Sequence, residues 1–199
     1  MINIDEENNE EYTEEYSEKT DGINNFLGFA WEIAKIVIIA AVIVIPIRYF
    51  LFQPFFVRGQ SMDPNFENGD YLIIDEITYR FRGPERGEVI VFKYPQDPSN
   101  RFIKRVIGLP GEVIEIKDGK ITINGDLILN EEYLPSDLLT SGDIYITLED
   151  GEYFILGDNR PYSFDSRRFG PLSEEYIIGR VFLRAWPINS ISKFEVPAY

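Results

Sequence analysis

Residues 112–125 read EVIEIKDGKITING, and this stretch decides the fold. Two short runs rich in Val and Ile flank Asp118-Gly119, the residue pair that best suits a two-residue hairpin turn, and Asn124-Gly125 supplies a second such turn. The same texture extends outward on both sides. YLIID (71–75), GEVIVFKY (87–94), RFIKRVIG (101–108), DLILN (126–130), EYFILGDN (152–159) and GRVFLRAWP (179–187) are apolar runs punctuated by Gly, Pro, Asn and Asp. Leu109-Pro110-Gly111 reads as a tight turn. Residues 130–143 are polar and irregular and are expected to form a surface excursion. No helix longer than a turn or two and no internal repeat is evident beyond residue 52. Residues 51–199 are therefore expected to form one mainly β, antiparallel domain.

The chain has 199 residues, 19 basic and 34 acidic, with neither cysteine nor histidine. Without cysteine there is no disulfide, thiolate nucleophile or Cys-ligated metal. Without histidine there is no Ser-His-Asp triad, and the usual zinc ligand sets are missing. A hydrolase built from this chain must take its base from Lys, Asp, Glu or an activated water. The net charge of −15 lacks the basic footprint of a general nucleic-acid binder. No cofactor and no metal is expected.

The charge is concentrated at the start. In residues 1–25 the acids Asp5, Glu6, Glu7, Glu10, Glu11, Glu14, Glu15, Glu18 and Asp21 face a single cation, Lys19. So few apolar side chains cannot offset the entropy of ordering, and a disordered acidic tail is expected. Composition then inverts: between residues 26 and 47 only Glu32 and Lys35 are charged. A helix crossing a bilayer core of about 30 Å needs about 20 mostly apolar residues. The run is apolar all round, more than a small domain can bury, and no small-x-small cleavage site follows it. Residues 26–50 are expected to be a single transmembrane anchor helix. Lys19 and Lys35 on one side against Arg48 and Arg58 on the other leave its orientation unset by charge.

Three stretches carry candidate chemistry. In FFVRGQSMDP (55–64), an extended segment would place Phe55, Val57, Gly59 and Ser61 on one face. Ser61 is then either a nucleophile at the end of an apolar groove or an ordinary turn serine. In RFIKRVIG (101–108), alternation puts Lys104 between Phe102 and Val106. Desolvation there would lower its pKa from about 10.4 and supply a neutral amine base; the alternative is a strand-edge lysine reaching water. GDNRPYSFDSRRFG (157–170) is dense in turn formers and hydrogen-bonding groups, and Asp165 and Arg167 can pair to pin a loop, whether structural or catalytic.

Taken together, an apolar span followed by GQSMDP, GDYLIID, RGEVIVFKYP with RFIKRVIGLPGE, and GDNRPYSFDSRRFGP resembles a type I signal peptidase. The blocks fall in that family's order and spacing over residues 54–172. The resemblance implies an antiparallel β Ser–Lys protease fold and a serine endopeptidase that removes signal peptides from secreted preproteins after an Ala-x-Ala-like site. It implies Ser61 as nucleophile, with its backbone N–H as an oxyanion donor, and Lys104 as general base. Ser163 would orient the lysine amine, Asp165 and Arg167 would form a supporting salt bridge, and Arg105 and Gly157 also fall on motif positions. Phe55, Val57, Met62 and Ile103 would line shallow pockets for small side chains. Implied partners are secretory preproteins and the lipid bilayer, with no nucleic acid. The implied location is the plasma membrane, single-pass, tail inside and catalytic domain on the extracytoplasmic side.

Departures are Gly59, where some members carry a second oxyanion hydroxyl, Pro64-Asn65-Phe66 in place of Pro-Thr-Leu, and a short 111–151 region that reduces any inserted β domain. Rival readings are a membrane-anchored β module that binds extended peptides without chemistry and a self-cleaving repressor. The first would lack Ser61 or Lys104; the second would carry a DNA-binding helix-turn-helix where this chain has its tail and span.

Overall fold

Strand β3 (Val89–Tyr94) shows how the domain is built. Val89 and Val91 enter one apolar cluster with Leu72, Ile74 and Ile103. Ile90 and Phe92 enter another with Val106, Ile155 and Leu172. A strand with a period of two whose faces are both apolar must be covered on both, so β3 lies inside the fold. The computed structural model describes residues 28–45, 52–136, 138–194 and 196–197.

In chain order the strands are β1 (Phe52–Phe56), β2 (Tyr71–Asp75), β3, β4 (Asp97–Gly108), β5 (Val113–Lys117), β6 (Lys120–Ile123), β7 (Leu127–Ile128), β8 (Ile144–Thr147), β9 (Glu152–Leu156), β10 (Leu172–Ser173), β11 (Ile177–Trp186) and β12 (Ser192–Lys193). Eight make one sheet in the order β1-β2-β11-β3-β4-β9-β10, with β12 also against β11. The other four make a second sheet, β7-β6-β5-β8. The strand pairings are antiparallel throughout. The only α-helix described after residue 52 is one turn, α2 (Ser166–Phe169).

The 112–125 hairpin forms as its sequence predicts. Ile114 pairs with Ile123 and Ile116 with Ile121, and all four are buried. Asp118 and Gly119 take φ of 51° and 78°, the left-handed pair a tight hairpin turn requires. Strand β8, absent from the sequence reading, adds Ile144 and Ile146 to the same apolar face. The short 111–151 region thus folds as a small second sheet. Residues 130–143 are more than a surface excursion: Thr140 is buried, Glu131 pairs with the buried Arg160, and Tyr133 stacks on Arg105.

Residues 1–48 and 49–199 form separate units. In the first, α1 (Gly28–Ile45) is 18 residues long and apolar, about 27 Å at 1.5 Å per residue. Trp31, Ile36, Ile39, Val42 and Ile45 are all exposed, and Lys35 Nζ pairs with Glu32 Oε1 at 2.6 Å. The expected acidic tail, 1–25, and both ends of the expected anchor lie outside the described residues.

Candidate active site

Lys104 occupies the middle of β4, opposite Ile90 of β3. Its neighbours on that face, Phe102 and Val106, are apolar, and only 3% of the lysine is exposed. Burial pushes its ammonium pKa down to about 8, against the opposing pull of the Asp165 and Asp158 carboxylates. The side chain reaches Ser61 Oγ, to which Nζ donates at 2.7 Å, and Nζ also donates to the Ile103 carbonyl at 2.7 Å.

Ser61 is brought there by a turn and not by a strand. Phe55 and Val57 point inward and Phe56 and Arg58 outward, so the expected alternation holds that far. It then fails: β1 ends at Phe56, and Gly59 adopts a φ of +92°, a left-handed conformation that suits glycine. The turn continues through Ser61, and its partners hold it against the 157–160 loop. The Ser61 carbonyl accepts from the Asn159 N–H at 3.1 Å, and Asn159 Nδ2 donates to the Gln60 carbonyl at 2.9 Å. Among the described residues the Ser61 N–H makes no hydrogen bond, which leaves it available to a ligand.

Behind the pair lies a buried charged frame. Asp165 Oδ2 accepts from the Gly157 N–H at 3.1 Å. Arg167 clamps the same carboxylate at 2.9 and 2.8 Å. Burial alone would raise the Asp165 pKa, but the Arg167 hydrogen bonds and charge hold it below the usual carboxylate range. Arg105, 1% exposed, donates Nε and Nη2 to the fully buried Asp158 at 2.8 and 2.6 Å, and Nη1 to the Gly87 carbonyl at 2.9 Å. Asn65 Nδ2 also donates to Asp158 at 2.8 Å, and the Tyr133 ring covers the guanidinium at 4.1 Å. Sequence reasoning missed the roles of Asp158, Asn159, Arg160, Asn65 and Glu131. The density of hydrogen-bonding side chains in 157–160 was the signal for the first three; Asn65 stood out only as a departure from the family pattern, and Glu131 had none.

The expected site residues separate in space. Phe55 and Ile103 line a groove of about 350 Å³ together with Ser61 and Lys104, joined there by Phe56, Arg58 and Phe102. Val57 and Met62 lie in the core beside Phe66. Ser163 is buried with its hydroxyl beside the Asp165 carboxylate, whose pKa it helps to lower, and Lys104 makes no hydrogen bond to it. Gly157 is wedged between Ser163 and Ser61: a Cβ there would lie 2.2 Å from Ser163 Oγ and 2.4 Å from the Ser61 carbonyl oxygen. The carbonyl is backbone and cannot swing aside. Gly157→Ala is therefore expected to push the Ser61 turn away from Lys104 and to lower the turnover of any reaction using both groups by about 100-fold. Steady-state kinetics would check this, and unchanged turnover would show that the turn adapts.

A hydroxyl hydrogen-bonded to a desolvated amine, beside a free backbone N–H and an open groove, is the equipment of a serine hydrolase without histidine. The comparisons agree in class. The family described as signal peptidase, peptidase S26, matches residues 30–186. A probable signal peptidase I-2 of Synechocystis sp. is 37% identical over 167 residues, covering 80% of this chain and 75% of its own. Signal peptidase I V of Bacillus subtilis is 37% identical over 162 residues, 75% of this chain and 94% of its own. A solved signal peptidase I from Enterococcus faecalis is 35% identical, with a TM-score of 0.44, over 50% of this chain and 97% of that one. The chain belongs to the signal peptidase family: it is a type I signal peptidase, a serine peptidase of signal-peptide processing.

Proposed function

We propose that this chain cleaves secreted preproteins after an Ala-x-Ala-like site with Ser61 as nucleophile and Lys104 as general base. The observation that carries the reading is the 2.7 Å contact between Ser61 Oγ and a lysine amine whose pKa burial has lowered to about 8. The substrate lies extended in the groove, beside the edge of β1, which among the described residues pairs with β2 alone, and adds its backbone to the sheet. Phe55 and Ile103 wall the groove next to Ser61 and leave room for small side chains at the first and third residues before the cleaved bond.

Neutral Lys104 takes the Ser61 proton as Oγ bonds to the scissile carbonyl carbon, and the Ser61 N–H donates to the developing oxyanion. When the carbon–nitrogen bond breaks, the ammonium gives that proton to the leaving amine. Water then attacks the acyl-enzyme, Lys104 accepts its proton, and Ser61 Oγ recovers one as the ester opens. Ser163, buried beside Gly157, is the residue proposed to orient the lysine amine. The Asp165–Arg167 pair and the Arg105–Asp158 pair hold the two loops in register.

Helix α1 is long and apolar enough to cross a bilayer. It is the proposed single-pass anchor in the plasma membrane, with residues 1–25 a cytoplasmic tail and residues 51–199 the extracytoplasmic catalytic domain. The purified full chain in detergent, given a preprotein ending in Ala-x-Ala, is expected to release a product whose new N-terminus follows the final alanine. A folded enzyme inert on several such substrates, or one cutting elsewhere, would overturn the reading.

The pH dependence follows from the lysine. The base works only when neutral, so kcat/KM is expected to fall about tenfold per pH unit below 8. A lower limb near 10 would remove a desolvated lysine from the mechanism.

A further inference from the structure

The groove that holds Ser61 and Lys104 is cationic in a chain of net charge −15. Its lining includes Arg58, Arg101 and Lys104 and no carboxylate. Arg58 and Arg101 are exposed, and among the described residues neither has a carboxylate at ion-pair distance. Asp97, the acid nearest Arg101 in the chain, is turned to Ser99 Oγ and Asn100 Nδ2 at 2.5 and 2.8 Å. Glu76 feels the charge of Arg101, yet burial raises its carboxyl and its Oε1 is buried without a partner. Arg101 Nη1 makes one long contact, 3.4 Å to Gln53 Oε1 of β1, so it spans the groove from β4.

These two guanidiniums stand where a bound strand would show its outward side chains. Successive side chains of an extended peptide point to opposite faces. With the first and third residues before the cleaved bond facing the apolar wall, the second and fourth face the rim. Arg101 lies three residues before Lys104 on β4, about 10 Å of extended chain from the reacting pair, and Arg58 lines the same groove just before the Ser61 turn.

Building on the function proposed above, we propose that Arg58 and Arg101 make this peptidase select substrates with a carboxylate at the second or fourth residue before the cleaved bond. Each contact is a solvent-exposed ion pair, so the selection is graded and screened by salt.

The test compares peptides that differ only in Glu, Gln or Lys at those two positions. Wild type is expected to cleave the Glu peptide with kcat/KM about threefold above Gln and about tenfold above Lys at low ionic strength, the differences shrinking in high salt. In the Arg58→Gln, Arg101→Gln double variant the Glu-to-Gln ratio should fall to about one, a readout independent of that variant's basal rate. A flat series in wild type, or an unchanged ratio in the double variant, overturns the proposal. So does a flat series in which the double variant binds vesicles of anionic lipid less well than wild type, since the cations would then serve the bilayer. Failure of every peptide to be cleaved would instead sink the proposed function. The charge preference would then be read from binding of the same peptides to the groove, where equal affinity for Glu and Gln overturns it.

Discussion

Lys104→Met is expected to lower kcat/KM for preprotein cleavage by about 10⁴-fold or more, while leaving the domain folded and at least as stable as wild type. The size follows from composition and site together: with no histidine in the chain and no carboxylate lining the groove, no second side chain among the described residues stands ready to take the Ser61 proton. Loss of one member of such a pair removes most of the rate that the pair supplies. Stability should not suffer, because Lys104 is 3% exposed among apolar neighbours and methionine fills a similar volume without an amine to desolvate. The same substitution makes a second, independent statement. The Lys104 pKa is about 8 in the folded chain against a usual 10.5. Between those values the unfolded chain holds the proton and the folded chain does not. This group's contribution to stability therefore rises with pH across that window and is lowest below pH 8. Lys104→Met should abolish that slope. Denaturant unfolding at pH 7 and pH 10 measures it; an identical slope in the variant would mean that the lysine is not desolvated. Retained cleavage would assign the base elsewhere.

Asp158→Ala is expected to be the most destabilising single change at the site, by about 3–5 kcal/mol, since it breaks a buried ion pair in which Asp158 takes two hydrogen bonds from the Arg105 guanidinium. At about 2–4 °C per kcal/mol for a domain of this size, thermal unfolding should fall by about 6–20 °C. The argument turns on burial: the pair is 1% and 0% exposed, so water cannot replace the lost carboxylate. Replacing both partners, as in Arg105→Met with Asp158→Leu, removes both charges and should recover most of the loss. If the double variant is as unstable as Asp158→Ala, the destabilisation comes from packing around Asn65 and Tyr133 and not from the broken ion pair.

The sequence was most legible where local chemistry decided the outcome. Asp118-Gly119 needs no distant contact to turn a chain, and the Ile residues beside it choose their face by period alone, so the second sheet's central hairpin could be read directly. Lys104 was readable for the same reason: Phe102 and Val106 share its face of β4, and a lysine between them is desolvated if the strand is covered. The Asp165–Arg167 pair lies within one turn and is equally local. The family's blocks added the partner for Lys104, because alternation alone says nothing of which serine lies opposite.

Other features depended on elements far apart in the chain. The period-two reading from Phe55 to Ser61 failed at Gly59, where contacts with the 157–160 loop, not strand pairing, place Ser61. Asp158 meets Arg105 only because β4 and β9 are neighbours in the sheet, and Tyr133 covers that pair only because residues 130–143 fold back over it. Val57 and Met62 look like candidates to line a groove, yet they lie in the core with Phe66, since the turn after β1 carries their side chains inward. By itself the sequence determined the antiparallel β class, the apolar helix and the desolvated face of β4, all consequences of side-chain period and composition. The tertiary structure alone decided that Ser61 Oγ stands 2.7 Å from Lys104 Nζ, because that distance depends on strand order and on a loop's hold on the Ser61 turn, which no local pattern encodes.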